Sequence, residues 1–238
     1  MRIKAPAHSG SQFRNYKGYF SIVLLAVIDA GYRFRLVDIG MSGSNSDGGI
    51  LFKSEMGQKL DGGKYEFPCP MTLPTGSVVP AVIIGDDAFP LKTYMLKPYS
   101  DGSFESNIFN YRMARARMVS ENGFGILSAR CRILHSLQET EPDLASLATK
   151  TAVIIHNFLM TNGDFSSITA GSIRGSEVIA GNWRTMETIN TNVAPLSRQG
   201  SNNYSADAFV IRDNFKTFFL SEEGQLHWQR DYVMRGYL

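Results

Sequence analysis

Cysteine is scarce in this chain. The 238 residues contain two, Cys69 and Cys131, which are far apart in sequence. Neither has the spacing typical of metal ligands. A single disulfide bond between them would also be too few for a small extracellular scaffold that depends on disulfides. We therefore expect two free thiols in a reducing compartment.

Long apolar runs are also lacking. The longest is Ile22–Ile28, which suits a buried strand and is far shorter than the roughly 18 residues of a membrane-spanning helix. The first residues contain no apolar segment of the kind found in a secretory signal. The sequence therefore predicts no membrane partner.

Three common catalytic motifs are absent as well: the phosphate-binding P-loop, the dinucleotide-binding glycine fingerprint and the serine nucleophile elbow. Nucleotide hydrolysis and serine-type acyl transfer therefore have no support. A strong overall charge is missing too, since 24 basic residues face 22 acidic ones. The net charge alone thus indicates no nucleic-acid partner.

The basic residues are nevertheless unevenly distributed. Residues 1–40 contain six basic and two acidic residues, and residues 89–135 contain seven and three. This distribution weakly favours a polyanionic partner, and an ordinary solvated surface explains it about as well.

The chain contains enough apolar residues to form a packed hydrophobic core, because 43% of the residues are hydrophobic. The apolar patterns predict strands at 20–28, 32–39 and 78–84, and helices at 47–56, 91–96, 105–133, 144–160 and 206–220. An early hairpin followed by alternating strands and helices predicts a mixed α/β domain over residues 1–160. The polar composition of residues 161–206 predicts a loop or linker, followed by a helical extension at 207–238.

Two carboxylates are candidates for a metal site. Asp86 follows directly on the third predicted strand, and Glu121 lies on the long predicted helix. Ligands often bind at strand ends of open α/β sheets, and Mg²⁺ prefers carboxylate oxygens. Two such ions could clamp the attacking and leaving oxygens of a phosphodiester. Each residue also has a simpler interpretation, Asp86 as a turn residue and Glu121 as the partner of Arg117 one helical turn earlier.

Both carboxylates lie in distinctive strings. These are KGYFS at 17–21, SGSNSD at 42–47, GDDAFPL at 85–91, FNYR at 109–112, RAR at 115–117, ENGFGIL at 121–127 and HNFL at 156–159. In this order, over residues 2–160, the strings resemble the catalytic domain of PIF/Harbinger-type DDE transposases. A weaker resemblance continues to Trp228.

The resemblance implies an RNase H-like α/β core, with a central mixed sheet and flanking helices. Asp86 would be the second catalytic aspartate and Glu121 the catalytic glutamate, and both would hold Mg²⁺ or Mn²⁺ for DNA hydrolysis and strand transfer. In that family the first aspartate immediately precedes a stretch like residues 3–6, so it would fall before Met1 with most of the first strand. We therefore expect an incomplete ligand set and impaired activity in the chain as given.

The resemblance also implies partners. DNA would be the substrate, and Arg112, Arg115 and Arg117 could grip its phosphates, although a solvated helix face is about as consistent with these arginines. A separate Myb-like DNA-binding protein and a nuclear location would be expected, and an oligomer is compatible with the family. The alternative function is an inactive, domesticated or relic transposase that binds DNA or protein.

Overall fold

The computed structural model describes residues 1–45, 47–163, 168–175, 177–186 and 205–236. Two compact units are formed by segments that alternate along the chain. Unit 1 comprises Met1–Gln58, Val119–Ser172 and Val178–Arg198, and unit 2 comprises Lys59–Met118, Ile173–Glu177 and Gln199–Leu238. The described strands pair as four two-stranded sheets. The predicted mixed α/β class is confirmed, whereas the described strands do not form one central mixed sheet.

Unit 1 is built around an antiparallel hairpin. Strands β1 (Ile22–Ile28) and β2 (Phe34–Ser42) pair from Ile22↔Ser42 to Ile28↔Phe34. The Asp29 carboxylate closes the turn, because its Oδ1 accepts the amides of Gly31 and Arg33 at 2.9 and 3.1 Å. The predicted hairpin is confirmed. On the other side of the start of β1, Met1–Ile3 runs antiparallel to residues 20–22.

Helix α4 (Pro142–Thr161) packs on β2 through one of its faces. Its buried residues are Ala145, Ser146, Thr149, Ala152, Val153, His156 and Met160. The Asn157 side chain fixes the register, since it donates to the Phe34 carbonyl at 2.9 Å and accepts the Phe34 amide at 2.8 Å. The HNFL string thus anchors α4 to the first residue of β2.

The opposite face of α4 is also apolar, and it is exposed. Five large side chains on this face are between 50% and 68% accessible: Leu144, Leu147, Ile154, Ile155 and Phe158. A helix that contacted only its own domain would carry polar side chains there. This surface, which we call the outer face of α4, is therefore unusual for a helix with one buried side.

Helices α1 (Asp47–Lys53) and α2 (Glu55–Asp61) replace the single helix predicted at 47–56. The break lies at Ser54, whose hydroxyl donates to the Leu51 carbonyl and accepts the Gly57 amide. A Cβ on Gly57 would lie 1.7 Å from the Leu51 oxygen, so only glycine fits this close approach. The glycine therefore permits the tight turn between the two helices.

Unit 2 contains short strands. Strand β3 (Met71–Thr72) pairs with β4 (Val78–Val79), and β5 (Ile83–Ile84) pairs in parallel with β6 (Met95–Leu96). The single strand predicted at 78–84 is divided at Pro80, because proline has no amide to donate to a ladder. The helix predicted at 91–96 is wrong, since the Leu96 carbonyl instead accepts the Gly85 amide at 2.9 Å.

Helix α3 (Phe104–Arg130) contributes to both units, with residues up to Met118 in unit 2 and later ones in unit 1. It ends three residues before the predicted boundary, and a 3₁₀ turn follows at Arg132–Leu134. In unit 2 its first half packs with α6 (Ala206–Leu220) and α7 (Gln229–Met234). The predicted C-terminal helix at 206–220 is confirmed.

The polar segment 161–206 is only partly described. Its described residues include β7 (Ser172–Arg174), β8 (Glu177–Ile179) and the helical turn α5 (Trp183–Met186). These are short elements within the stretch expected to be a loop or linker, and the proposed division into domains at 160 and 206 stays a prediction. None of the helices in the described ranges is long and apolar enough to cross a membrane.

Candidate functional site

Asp86 lies where the sequence placed it, directly beyond the end of β5. Gly85 is buried and Asp86 is half-buried, whereas Asp87 is exposed. Asp86 Oδ1 accepts the Ala88 amide at 3.0 Å, which closes a local turn of the type that aspartate favours. This bond orients the carboxylate, so the simpler interpretation of Asp86 as a turn residue describes part of its role.

Glu121 projects from the second half of α3 and is about half exposed. Its Oε2 lies 3.9 Å from Nη2 of Arg184, which is part of the helical turn α5. An ion pair this open to solvent contributes little to stability, about 0–1 kcal/mol. Glu121 therefore remains accessible to a ligand.

The residue after Glu121 has a structural task that the sequence did not reveal. Asn122 is 2% exposed, and its side chain bonds both backbone groups of Gly171 and accepts Trp183 Nε1 at 3.1 Å. The Trp183 ring lies against Gly125, where a Cβ would come within 2.3 Å of the ring. Contacts with Trp183, which is distant in sequence, thus explain the asparagine at 122 and the glycine at 125 in the ENGFGIL string.

The two candidate carboxylates belong to different units, Asp86 to unit 2 and Glu121 to unit 1. Their ligand type fits a hard divalent cation, because Mg²⁺ and Mn²⁺ prefer carboxylate oxygens. In the described part of the chain, no three His, Cys, Asp or Glu side chains are placed together so that they could hold a metal ion. The described residues therefore offer suitable donors without a complete ligand set.

Arg112 holds the C-terminal helices against α3. Its Nη1 donates to the Gly224 carbonyl at 2.6 Å and to Gln229 Oε1 at 3.3 Å, and its guanidinium lies 4.3 Å from the centre of the Phe219 ring. Burial, together with the nearby charge of Arg115, lowers the pKa of Arg112. These contacts all lie within unit 2, and they give this arginine a structural role independent of DNA.

Arg115 is engaged in a similar way. Its Nη1 donates to Tyr111 Oη at 3.0 Å and to the Gly175 carbonyl at 2.8 Å. Trp228 Nε1 donates to the same tyrosine oxygen. Arg117 is half-buried on the same helix. Phosphate binding by the three arginines stays a prediction, and for Arg112 and Arg115 it would have to use donors beyond these bonds.

His156 is a core histidine on the buried face of α4. It is fully buried, its Nε2 lies 2.8 Å from the Tyr32 carbonyl, and its ring meets Phe34 edge to face. Burial lowers the pKa of His156, which favours the neutral ring at physiological pH. This histidine therefore serves packing between α4 and the β1–β2 hairpin.

Comparisons with known proteins identify the family. A family model described as DDE superfamily endonuclease matches residues 1–157. Among curated proteins, Protein ALP1-like from Arabidopsis thaliana is 28% identical over 174 residues, which cover 69% of this chain and 41% of that protein. The chain thus spans less than half the length of this relative. No solved structure matches it significantly.

Proposed function

The chain belongs to the DDE superfamily endonuclease family, and from this premise we propose that it is a transposase-derived, divalent-metal-dependent DNA endonuclease domain. The observation that carries the proposal is the family match over residues 1–157, which includes both candidate carboxylates. The ALP1-like relative supports the same assignment at a distance. DNA is the substrate that a nuclease of this family implies.

Asp86 and Glu121 are the proposed metal ligands. Asp86 suits the role because it lies at a strand end and its carboxylate is oriented by the Ala88 amide. Glu121 suits it because its carboxylate stays accessible on α3. When bound, Mg²⁺ or Mn²⁺ would supply charge stabilisation for phosphodiester cleavage. Water and a further carboxylate would complete the ligand set, since no group of three potential metal ligands lies together in the described residues.

An RNase H-like core is the finer proposal for the fold. It is supported within unit 1 by the β1–β2 hairpin, which Met1–Ile3 extends on the other side of β1. Within unit 2 it is supported by the parallel β5–β6 pair, since Asp86 follows β5. The order of the strings along the chain is the other support.

The remaining proposals concern the setting of the protein. A nuclear location and a separate Myb-like DNA-binding partner follow from the resemblance to PIF/Harbinger-type transposases. Self-association is supported by the outer face of α4, whose large apolar side chains are open to solvent.

Strand nicking of duplex DNA in the presence of Mg²⁺ or Mn²⁺ tests the proposed function. Asp86→Asn and Glu121→Gln should each lower the nicking rate by at least about 100-fold, because changes to second-sphere groups alone cost about 10–100-fold. Asp87→Asn is the matched control, since it removes the same charge from the exposed neighbour. Nicking that persists at the wild-type rate in both variants would contradict the assignment.

A DNA- or protein-binding module without catalysis is the second candidate function. The observation that favours it is the absence, within the described residues, of a three-ligand metal cluster. The same assay separates the candidates. DNA binding without any metal-dependent nicking by the unsubstituted protein would favour the binding module.

A further inference from the structure

Two of the strings that resemble the family, KGYFS at 17–21 and SGSNSD at 42–47, have no part in the proposed metal site. They are more than 20 residues apart in sequence, yet both lie in unit 1 and they meet. The Gly43 amide donates to the Ser21 carbonyl at 2.9 Å. Ser44 Oγ donates to the Gln12 carbonyl at 2.8 Å, and Ser42 Oγ also donates to it.

The contact between these strings leaves no room for other residues. A Cβ on Gly43 would lie 1.9 Å from Ser21 Oγ, so only glycine can occupy this position. Asn15 braces the other side, because its Nδ2 donates to Ser21 Oγ at 3.1 Å and its Oδ1 accepts the amides of Lys17 and Tyr19. Residues 14–20 therefore form a small hairpin, held firmly against the turn at 42–45.

The side chains on the outside of this hairpin are basic and aromatic. Arg14 and Lys17 are exposed, and Tyr16 is 61% exposed. Lys17 Nζ lies 5.5 Å from the centre of the Tyr16 ring, and the Arg2 guanidinium lies 4.2 Å from that of Tyr19. The packing of the hairpin depends on Asn15, Ser21 and Gly43, so the two exposed cations are available for another purpose.

Acidic residues are absent around these cations in sequence. Residues 1–28 contain four arginines or lysines and no aspartate or glutamate. Across the contact, Lys53 Nζ donates to Asn45 Oδ1 at 3.0 Å, which adds a further exposed cation beside the serine turn. Serine hydroxyls, amides and cations together are the groups that bind phosphate oxygens in protein–DNA complexes.

We propose that the hairpin at 14–20 and the turn at 42–45 form a contact surface for the phosphate backbone of duplex DNA, with Arg14 and Lys17 as the principal cations. We call it the hairpin surface. It lies apart in sequence from Arg112, Arg115 and Arg117. The choice of DNA as the polyanion rests on the proposed function, and the surface positions the substrate without reading its sequence.

Binding of a fluorescent DNA duplex, measured by anisotropy at several salt concentrations, tests this surface. The double variant Arg14→Ala/Lys17→Ala should weaken binding about 10- to 100-fold at low salt. The slope of the logarithm of the binding constant against the logarithm of the salt concentration should become shallower by roughly one to two, because about one counterion fewer is released for each phosphate contact that is lost. Lys64→Ala/Arg230→Ala is the matched control. It removes the same charge from two exposed positions of unit 2, outside both segments of the surface, and should keep the wild-type slope.

The fold is checked in the same samples. Because Arg14 and Lys17 are exposed, the double variant should keep the wild-type circular dichroism and thermal midpoint. Wild-type affinity and slope in the double variant would overturn the proposal, as would an equal loss in the control pair. If polyglutamate or duplex RNA displaced the fluorescent duplex as effectively as unlabelled duplex DNA does, the assignment of the surface to DNA would be overturned.

The nicking assay separates this proposal from the proposed function. Weakened DNA binding in the hairpin variant, together with no metal-dependent nicking by the wild type, would uphold the surface and reject the nuclease. Unchanged binding in that variant, together with nicking lost in Asp86→Asn, would reject the surface and uphold the nuclease.

Discussion

Adjacent residues in the ENGFGIL string have different roles: one is a candidate metal ligand and the next is buried in the core. Glu121 is the only acidic residue in the string and is accessible, whereas Asn122 beside it is buried and bonded to Trp183. The sequence indicated the glutamate because carboxylates have a recognisable chemistry. It could not indicate the asparagine, whose partners Gly171 and Trp183 lie 49 and 61 residues away.

Gly125 tests the packing role of this string. The substitution Gly125→Ala places a Cβ 2.3 Å from the Trp183 ring, so the ring or the helix must move. We expect a loss of about 1–2 kcal/mol in the free energy of unfolding, since overpacking costs about 1–3 kcal/mol and the better helix propensity of alanine returns up to about 1 kcal/mol. Denaturant unfolding measures the loss, and tryptophan fluorescence reports the displaced ring.

The matched control is Gly123→Ala, one half-turn earlier on α3. Its Cβ would meet the Ile28 side chain at 3.0 Å, a contact that a small adjustment of Ile28 can relieve. The gain in helix propensity should then offset the strain, so the free energy of unfolding should change by less than about 0.5 kcal/mol. A larger loss in Gly123→Ala than in Gly125→Ala would contradict the assigned role of Trp183.

Among the helices and strands, those with an unbroken periodic pattern of apolar residues were predicted from the sequence. The β1–β2 hairpin, α4 and α6 have clear apolar patterns, and all three were located to within a few residues. The strand β6 was missed, because two residues carry no pattern and only their pairing with β5 makes them a strand. The pair of three-residue strands β7 and β8 was missed for the same reason.

Arg112 tests how α6 and α7 are held against α3. Arg112→Lys keeps the charge but loses the planar fork that serves Gly224 and Gln229 and stacks on Phe219. We expect a loss of about 1–2 kcal/mol in the free energy of unfolding, measured by denaturant titration. DNA affinity below the unfolding transition should stay within about three-fold of the wild type, because the charge is retained.

Arg230→Lys on α7 is the control, since Arg230 is exposed and the substitution should be nearly neutral. A variant Arg112→Lys that is as stable as the wild type but binds DNA weakly would reverse the assignment. The guanidinium would then serve phosphate binding by its fork geometry, and the contacts with the C-terminal helices would be secondary.

At the scale of the whole chain, contacts join strings that the sequence presents separately. The resemblance gave their order, and the structure adds that KGYFS meets SGSNSD and that HNFL anchors β2. Such contacts could not be predicted from local periodicity, because they depend on close approaches such as that of Gly43 to Ser21. The candidate carboxylates were predicted from their positions at a strand end and on a helix, together with the strings around them, and their joint role as metal ligands stays a prediction.

The outer face of α4 provides the prediction at this largest scale. Leu144, Leu147, Ile154 and Phe158 follow the alternating three- and four-residue spacing of a coiled-coil seam, with Thr151 at the central position. In an antiparallel pair of identical helices, Leu147 would lie opposite the partner's Phe158, and the small Thr151 would lie opposite the partner's large Ile154. A contact confined to one helix from each partner is smaller than the roughly 800 Å² per partner of a standard interface.

We therefore expect the protein to form a dimer through α4 with a dissociation constant of about 1–100 µM, since the interface is small. Sedimentation velocity across this concentration range measures the dimer, and Ile154→Glu should make the protein monomeric by placing a charge in the seam. Val210→Glu on α6 is the control, because Val210 is comparably exposed on a different helix and its substitution should leave the dimer intact. A wild-type monomer throughout the range, or a dimer that survives Ile154→Glu, would show that the outer face serves something other than a second copy of the chain.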